Sequence, residues 1–370
     1  MVDLKGQFSS IEKEVMERIQ SVISTASFIQ GQEVKSFETA LSDLGHVDFC
    51  ISCANGTDAL QLSLMALDLK PGDEVLVPAF TYIAPVEAIA LLQLKPVFID
   101  VDAETFNMDT DKIEAAITDR TKAIIVVHLY GQCAHMEKVL SLASLHGLYI
   151  IEDNAQSIES EYLLSNGLSI KAGTIGDIGT TSFFPSKNLG AYGDGGAVLT
   201  KDEKWAKTIR AMANHGQEEK YIHHTIGINS RLDSIQAAIL NVKLKYLTLY
   251  TATRQRAAAL YDEQLKGMAE LQLPFRAPYS THVFHQYTIK VTRRNELQQY
   301  LIGKGIASMI YYPFPAHLQP AYSYLNYKKG DFPMAENLCD QVLSLPIHSE
   351  SNEEDISYIC QTIRAFYQHG

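Results

Sequence analysis

Residues 179–200 read GTTSFFPSKNLGAYGDGGAVLT, two short apolar runs set around a turn-rich centre. Runs of this length bounded by Gly and Pro read as buried strands. Between them Lys187 stands among Pro185, Ser186, Gly190, Gly193, Gly195 and Gly196. Most lysines are solvated surface charges. One placed just past a buried strand in a tight loop is partly desolvated, which lowers its pKa and makes its amine a nucleophile able to form a Schiff base.

The same pattern continues outward from this loop. From about residue 47, the runs DFCISCA, EVLVPAF, PVFIDV, AIIVVHLYG and YIIEDNA read as further buried strands. Helical stretches alternate with them at 58–67, 86–93, 136–145 and 203–214; the first carries Leu60, Leu64 and Leu67 at i, i+4 and i+7. Strands alternating with helices require crossover connections. The expected fold class is therefore α/β, a mainly parallel sheet covered by helices on both faces in a three-layer α/β/α domain. Ligands of such a sheet gather at the carboxyl ends of its strands.

Residues 1–45 are helical in pattern, and 234–265 contain no Gly or Pro, which predicts one long connecting helix. Beyond it VFHQYTIKV, ASMIYYPF and a closing helix at 356–367 predict a smaller α/β unit. The expected division is 1–240 for the helical segment and large domain, and 241–370 for the connecting helix and small domain.

Composition narrows the setting. Of the 370 residues 46% are apolar, enough for a large core, and 31 Lys plus Arg against 43 Asp plus Glu give a net charge of −12. An acidic chain without a basic run excludes nucleic acid as an expected partner. The start, MVDLKGQF, lacks the apolar segment of a signal peptide, and no apolar stretch approaches the roughly 18 residues of a membrane span. Five thinly spread cysteines fit a reducing compartment, so the expected location is the cytoplasm. Cys50 and Cys53 form a CxxC, but a spacing of three puts them on opposite faces of a regular strand. No GxGxxG follows a predicted strand, and Cys133 with His135 stands without a second cluster of zinc ligands.

Two further sites accompany Lys187. In GTDAL (56–60) a Gly-Thr pair enters a helix, where free amides and the helix dipole suit a phosphate, although such a pair taken alone is more often a plain N-cap, with Thr57 satisfying an amide. In IIEDNAQS (150–157) Asp153 follows an apolar run and emerges at the same sheet edge, as a functional carboxylate or as a cap. An amine, a carboxylate and a phosphate cradle are together what pyridoxal 5′-phosphate requires.

The order and wording of ANGTDAL, PGDEVLVPAFTY, TKAIIVVHLYGQ, IIEDNAQS, SFFPSKNLGAYGDGGAV, NSRLDSIQAAIL and YYPFPAHLQPAY resemble the DegT/DnrJ/EryC1/StrS family of nucleotide-sugar aminotransferases. That resemblance implies the fold type I, aspartate aminotransferase-like architecture with pyridoxal 5′-phosphate as cofactor. It makes Lys187 the Schiff-base lysine and Asp153 the partner of the pyridine nitrogen. Gln156 is then the contact of the phenolic oxygen, Tyr82 the residue stacked on the ring, and Gly56, Thr57 and Ser182 the phosphate cradle. Asn229 reaches that cradle from the neighbouring subunit, so the resemblance implies a homodimer with shared active sites. Arg231 is the candidate for a substrate carboxylate, with His215, Tyr311, Tyr312 and His317 as further pocket residues.

The implied reaction transfers an amino group from L-glutamate to a keto nucleotide sugar. Sugar dehydratases of the family carry His where this chain has Lys187, which favours transamination. Among the branches the wording is most similar to UDP-2-acetamido-2-deoxy-ribo-hexuluronate aminotransferases, which aminate C3 of a sugar acid for surface polysaccharides such as O-antigen or capsule. A dTDP-3-keto-6-deoxyhexose or a 4-keto nucleotide sugar is the alternative acceptor, and a non-catalytic regulator that binds pyridoxal phosphate is the alternative of another class. Tyr311, where many relatives have His, and IESEY after Gln156 depart from the pattern and bear on the sugar.

Overall fold

In a computed structural model, residues 1–369 are described. They form helices α1 (Leu4–Ser24), α2 (Gln32–Gly45), α3 (Gly56–Ala66), α4 (Ala84–Leu91), α5 (Ile113–Ala116), α6 (Met136–His146), α7 (Glu203–Met212), α8 (Ser234–Leu244), α9 (Leu247–Leu265), α10 (Arg294–Gly303), α11 (Pro333–Gln341) and α12 (Glu353–His369). The strands before the central loop are β1 (Phe49–Cys53), β2 (Glu74–Pro78), β3 (Lys95–Ile99), β4 (Thr121–Val127), β5 (Tyr149–Asp153), the hairpin β6 (Glu161–Leu163) and β7 (Ser169–Lys171), and β8 (Ile178–Ser182). After it come β9 (Gly196–Thr200), the hairpin β10 (Gln217–Glu219) and β11 (Ile222–His223), then β12 (Leu271–Gln272), β13 (Tyr287–Val291) and β14 (Val342–Leu345).

Seven strands make the main sheet in the order β1-β9-β8-β5-β4-β2-β3. The pairs from β8 to β3 are parallel, and β9 runs antiparallel between β8 and β1. The reversal follows from the short return: β8 and β9 are joined by the loop of Lys187 with no crossover helix between them. All five functional loops, after β1, β2, β4, β5 and β8, leave the sheet at its carboxyl edge.

Strands buried on both sides explain the unbroken apolar runs. One face packs Ile51, Val75, Val77, Ile125, Ile151 and Val198 against α3, α4 and α7. Cys53 belongs to this core, whereas Cys50 belongs to another with Phe37, Phe183, Leu199 and Leu240, so the two sulfurs lie on opposite faces and both are free thiols. Burial pushes both thiols above their ordinary value.

The single long helix expected over 234–265 is two helices, α8 and α9, broken at Lys245–Tyr246. Tertiary packing overrides propensity here: α8 packs on α1 and α2, while α9 packs on α12. Glu14 of α1 holds the break, taking Lys245 Nζ at 2.8 Å and the Tyr246 hydroxyl. Leu247, at the start of α9, still packs in the core of Phe37 and Leu240, and the residues of α9 from Ala257 onward pack in another. A second core, including Ala258, Tyr261, Tyr287, Leu301 and Ile363, belongs to the C-terminal part around β12-β13-β14. ASMIYYPF forms no strand; Met309 bridges Ser344 of the small sheet and Ile310 packs on its core, and Ala316, Tyr322, Ala335 and Leu338 pack back on the large core. No helix is long and apolar enough to cross a membrane among the described residues.

Candidate active site

Lys187 lies in a loop closed at its base by two backbone bonds, Phe183 N to the Gly195 carbonyl (2.7 Å) and Ala191 N to the Phe183 carbonyl (2.8 Å). Inside it Lys187 N donates to the Phe184 carbonyl at 2.8 Å. The loop is so tight that a Cβ on Gly190 would stand 2.4 Å from the Pro185 oxygen, which only glycine avoids. Burial lowers the Lys187 ammonium to about 8, and the Asp153 carboxylate opposes that shift. Among the described residues its Nζ makes no hydrogen bond. It is a desolvated amine with a free end, as the sequence leads one to expect.

Asp153 ends β5 and is buried. Burial raises its carboxyl, against the Ala155 amide, the Lys187 charge and His128. Oδ1 accepts from Ala155 N at 3.0 Å. The carboxyl is held in place from below. Glu152, wholly buried, accepts from Gly173 N (2.9 Å), Ile175 N (2.7 Å) and Gly176 N (2.6 Å), and from His128 Nε2 at 2.8 Å. His128 Nδ1 accepts from Ala134 N at 3.1 Å, so the assigned tautomer carries its proton on Nε2. His128 N in turn donates to the Asp153 carbonyl at 3.1 Å.

The phosphate end is built by the turn after β1. Asn55, not Thr57, is the N-cap of α3, its side chain accepting from Asp58 N at 2.8 Å. That capping leaves the Gly56 and Thr57 amides without acceptors among the described residues. Ser182, at the end of β8, closes the cradle: a Cβ on Gly56 would meet the Ser182 Cβ at 2.7 Å.

Gln156 and Tyr312 line the other side. Gln156 Oε1 accepts from Tyr130 N at 2.8 Å, and its Nε2 donates to the Tyr312 hydroxyl at 3.0 Å. The Tyr312 ring lies 6.0 Å from that of Tyr82, which is 58% exposed and thus no core residue. Tyr130, at φ +58°, reaches with its hydroxyl to the Tyr311 carbonyl, and the Tyr311 ring stands edge-on to Tyr312 at 5.8 Å.

Asn229 and Arg231 follow the β10–β11 hairpin. Between them Ser230 Oγ accepts from Ala54 N at 3.0 Å, which ties this segment to the chain just past β1. Arg231 is half-buried and forms no ion pair among the described residues. Asn229 is exposed and bridges Asn214 through its backbone. His215 is exposed at φ +61°, its carbonyl meeting His223 Nδ1 at 2.8 Å.

His317 is a correction. Its side chain is wholly buried, packed on Phe98 and Phe332, with Nε2 3.1 Å from Glu336. It follows the pocket tyrosines in sequence, but the turn at Ala316 carries it under the edge strand, so it has no face toward a substrate. Sequence reading placed Asn55 with Gly56 and Thr57 in an anion-binding turn but gave the cap to Thr57, and it missed His128, Glu152 and His285. Asn three residues before Asp was a capping signal in plain view. His285 is buried, with Nδ1 unpartnered, and burial together with the Lys187 charge holds it well below its ordinary value. A lone histidine in a strand-like run gave no sign of this.

An amine, a carboxylate and a free-amide turn at one edge of a mainly parallel sheet fit a fold type I aminotransferase that uses pyridoxal 5′-phosphate. The chain belongs to the DegT/DnrJ/EryC1/StrS aminotransferase family, whose profile matches residues 9–364. It is 46% identical to the UDP-N-acetyl-3-dehydro-alpha-D-glucosamine 3-aminotransferase of Acidithiobacillus ferrooxidans, over 98% of this chain and 96% of that one. It is 43% identical to the UDP-2-acetamido-2-deoxy-3-oxo-D-glucuronate aminotransferase of Pseudomonas aeruginosa, over 98% of both. A pleiotropic regulatory protein of Geobacillus stearothermophilus is 45% identical over 100% of this chain and 98% of its own. The structure of S. venezuelae DesV in complex with a ketimine intermediate superposes with a TM-score of 0.96 at 37% identity, covering 100% of this chain and 98% of that one.

Proposed function

We propose that this aminotransferase carries the amino group of L-glutamate to C3 of a UDP-linked 2-acetamido-2-deoxy-3-keto sugar, and that the sugar is a uronic acid destined for a surface polysaccharide. The observation that carries the reaction is the Lys187 amine, partnerless and lowered to about 8 by burial, set in the field of Asp153. Two relatives named for UDP-linked 2-acetamido 3-keto sugars support the acceptor. They differ in the C6 carboxylate. The half-buried Arg231 guanidinium, without an anion of its own, favours the acid.

The residues fit the cofactor. Bound there, pyridoxal phosphate supplies an aldehyde for amines and a ring that withdraws electrons from the reacting carbon. The Gly56 and Thr57 amides and the Ser182 hydroxyl would hold its phosphate, and the Asp153 carboxylate would keep a proton on the ring nitrogen. That proton's charge would offset the burial that raises the Asp153 carboxyl. The free hydrogen of Gln156 Nε2 is available to the phenolic oxygen, and the exposed Tyr82 ring covers one face. With the cofactor bound, Lys187 Nζ would be the group placed to take a proton from the α-carbon of glutamate, a role for the neutral amine, which burial favours.

The working unit in this reading is a homodimer in the cytoplasm, in which Asn229 of the partner subunit completes the phosphate cradle. Exposed Tyr221, Ile222 and Ile226 on the hairpin, with Phe28 and Ile29 beside residues 233–234, support a partner there. The division at 240, moved to 245–246, makes α9 the hinge between two domains. The likeness to a regulatory protein favours a second reading, binding without turnover.

Absorbance of the loaded protein during addition of glutamate, and product masses from a panel of UDP- and dTDP-linked 3-keto and 4-keto sugars, test the proposal. Conversion by glutamate and amination of the UDP-linked 3-keto uronic acid are expected. Cofactor binding without conversion would favour the regulator, and amination of only dTDP sugars would overturn the acceptor.

A further inference from the structure

Lys243 lies on α8 beneath the loop of Lys187. It is 1% exposed, its Nζ donates to the Gly190 carbonyl at 2.8 Å, and it stands 4.2 Å from the centroid of the Tyr192 ring. Among the described residues no carboxylate pairs with it, and burial lowers its ammonium to about 8. A buried charge without an anion is destabilising, and one carbonyl with one aromatic face offsets only part of the cost. Its neighbours on the helix, Ala237, Ala238, Leu240 and Val242, are buried and apolar, so packing alone would be served by a methionine.

We propose that Lys243 is a positioning residue for amino transfer, holding the Gly190 end of the loop and thereby setting where Lys187 Nζ stands. The inference rests on the aminotransferase reading above. Residues 184–190 are an excursion between the pinned Phe183 and Ala191. Among the described residues, three side chains tie it down, Ser182 and Lys243 from outside it and Asn188 from within it. Ser182 Oγ accepts from Phe184 N at 3.3 Å, Asn188 Nδ2 reaches the Val283 carbonyl at 3.0 Å, and Lys243 holds Gly190. Gly190 packs so closely under this turn that an added Cβ would stand 2.4 Å from the Pro185 oxygen and 2.9 Å from the Phe184 oxygen, and the Phe184 carbonyl receives the Lys187 amide. A shift at Gly190 is therefore passed to the backbone of Lys187. Gln236, one helical stretch earlier, holds Tyr192 N at 2.9 Å, so α8 is the rigid bar from which this side of the loop hangs.

Lys243→Met and Lys243→Arg in the full-length protein test this. Three readouts are needed: the melting temperature and the amide exchange of residues 184–191 without cofactor, and the single-turnover rate at saturating glutamate with it. For Lys243→Met the expected melting temperature is equal or higher, because an unpaired buried charge has gone. Exchange in 184–191 rises, and the rate falls about 10- to 100-fold, the cost of a misplacement near 1 Å, with little change in the glutamate concentration giving half the maximal rate. Lys243→Arg, which keeps a cationic donor, regains part of the rate. A Met variant that turns over at the wild-type rate, or that loses only melting temperature, overturns the inference. If the wild type itself is not converted by glutamate, it is the aminotransferase reading that fails.

Discussion

Lys187 and Lys243 carry the same perturbation for different ends. Burial brings both to about 8, yet Lys187 Nζ makes no hydrogen bond among the described residues and feels Asp153, whereas Lys243 is closed in by the Gly190 carbonyl and the Tyr192 ring. A lowered lysine is thus not a nucleophile by that fact alone. Access and a nearby carboxylate separate the reactive amine from the one that supports it.

The sharpest way to break the comparison is to remove each amine. Lys187→Ala should lower turnover by at least about 10³-fold, since both the attachment point and the proton carrier are gone, while cofactor still binds, as absorbance would show. Asp153→Asn should cost about 10²-fold or more in the glutamate half-reaction, read by stopped-flow absorbance, because the ring nitrogen loses its anionic partner. Gly56→Ala sets a methyl 2.7 Å from the Ser182 Cβ and should weaken cofactor binding about tenfold or more, measured by titrating cofactor into the bare protein.

A pH series sharpens the same point. The neutral form of Lys187 reacts with the aldehyde, so the rate of cofactor loading should rise as pH passes about 8 and level off above it. An unshifted lysine would keep gaining well beyond pH 9. The smallest effect belongs to His317→Asn, expected to lower stability by about 1–3 kcal/mol through the lost Glu336 contact while kcat stays unchanged, checked by melting and steady-state kinetics.

Much of this was legible in the sequence because strands buried on both sides leave continuous apolar runs, and such runs end where ligands bind. Asp153 and Lys187 are read from that rule. The pattern could not show that β9 enters the sheet antiparallel, because a buried strand looks alike in either direction. The break at Lys245–Tyr246 is invisible to propensity; Glu14, some 230 residues away, fixes it. His317 shows the converse failure. The resemblance placed it with Tyr311 and Tyr312 in the pocket, whereas in the fold Phe98 and Phe332 enclose it. Lys243 looked like a surface charge on a helix, and only the loop above it gives it a place.

Borohydride reduction of the cofactor-loaded protein, followed by peptide mass mapping, tests the central assignment most directly. The account requires the phosphopyridoxyl group on Lys187 and leaves the peptide of Lys243 unmodified. Its attachment to Lys243 or to any other lysine, with Lys187 unlabelled, would contradict it.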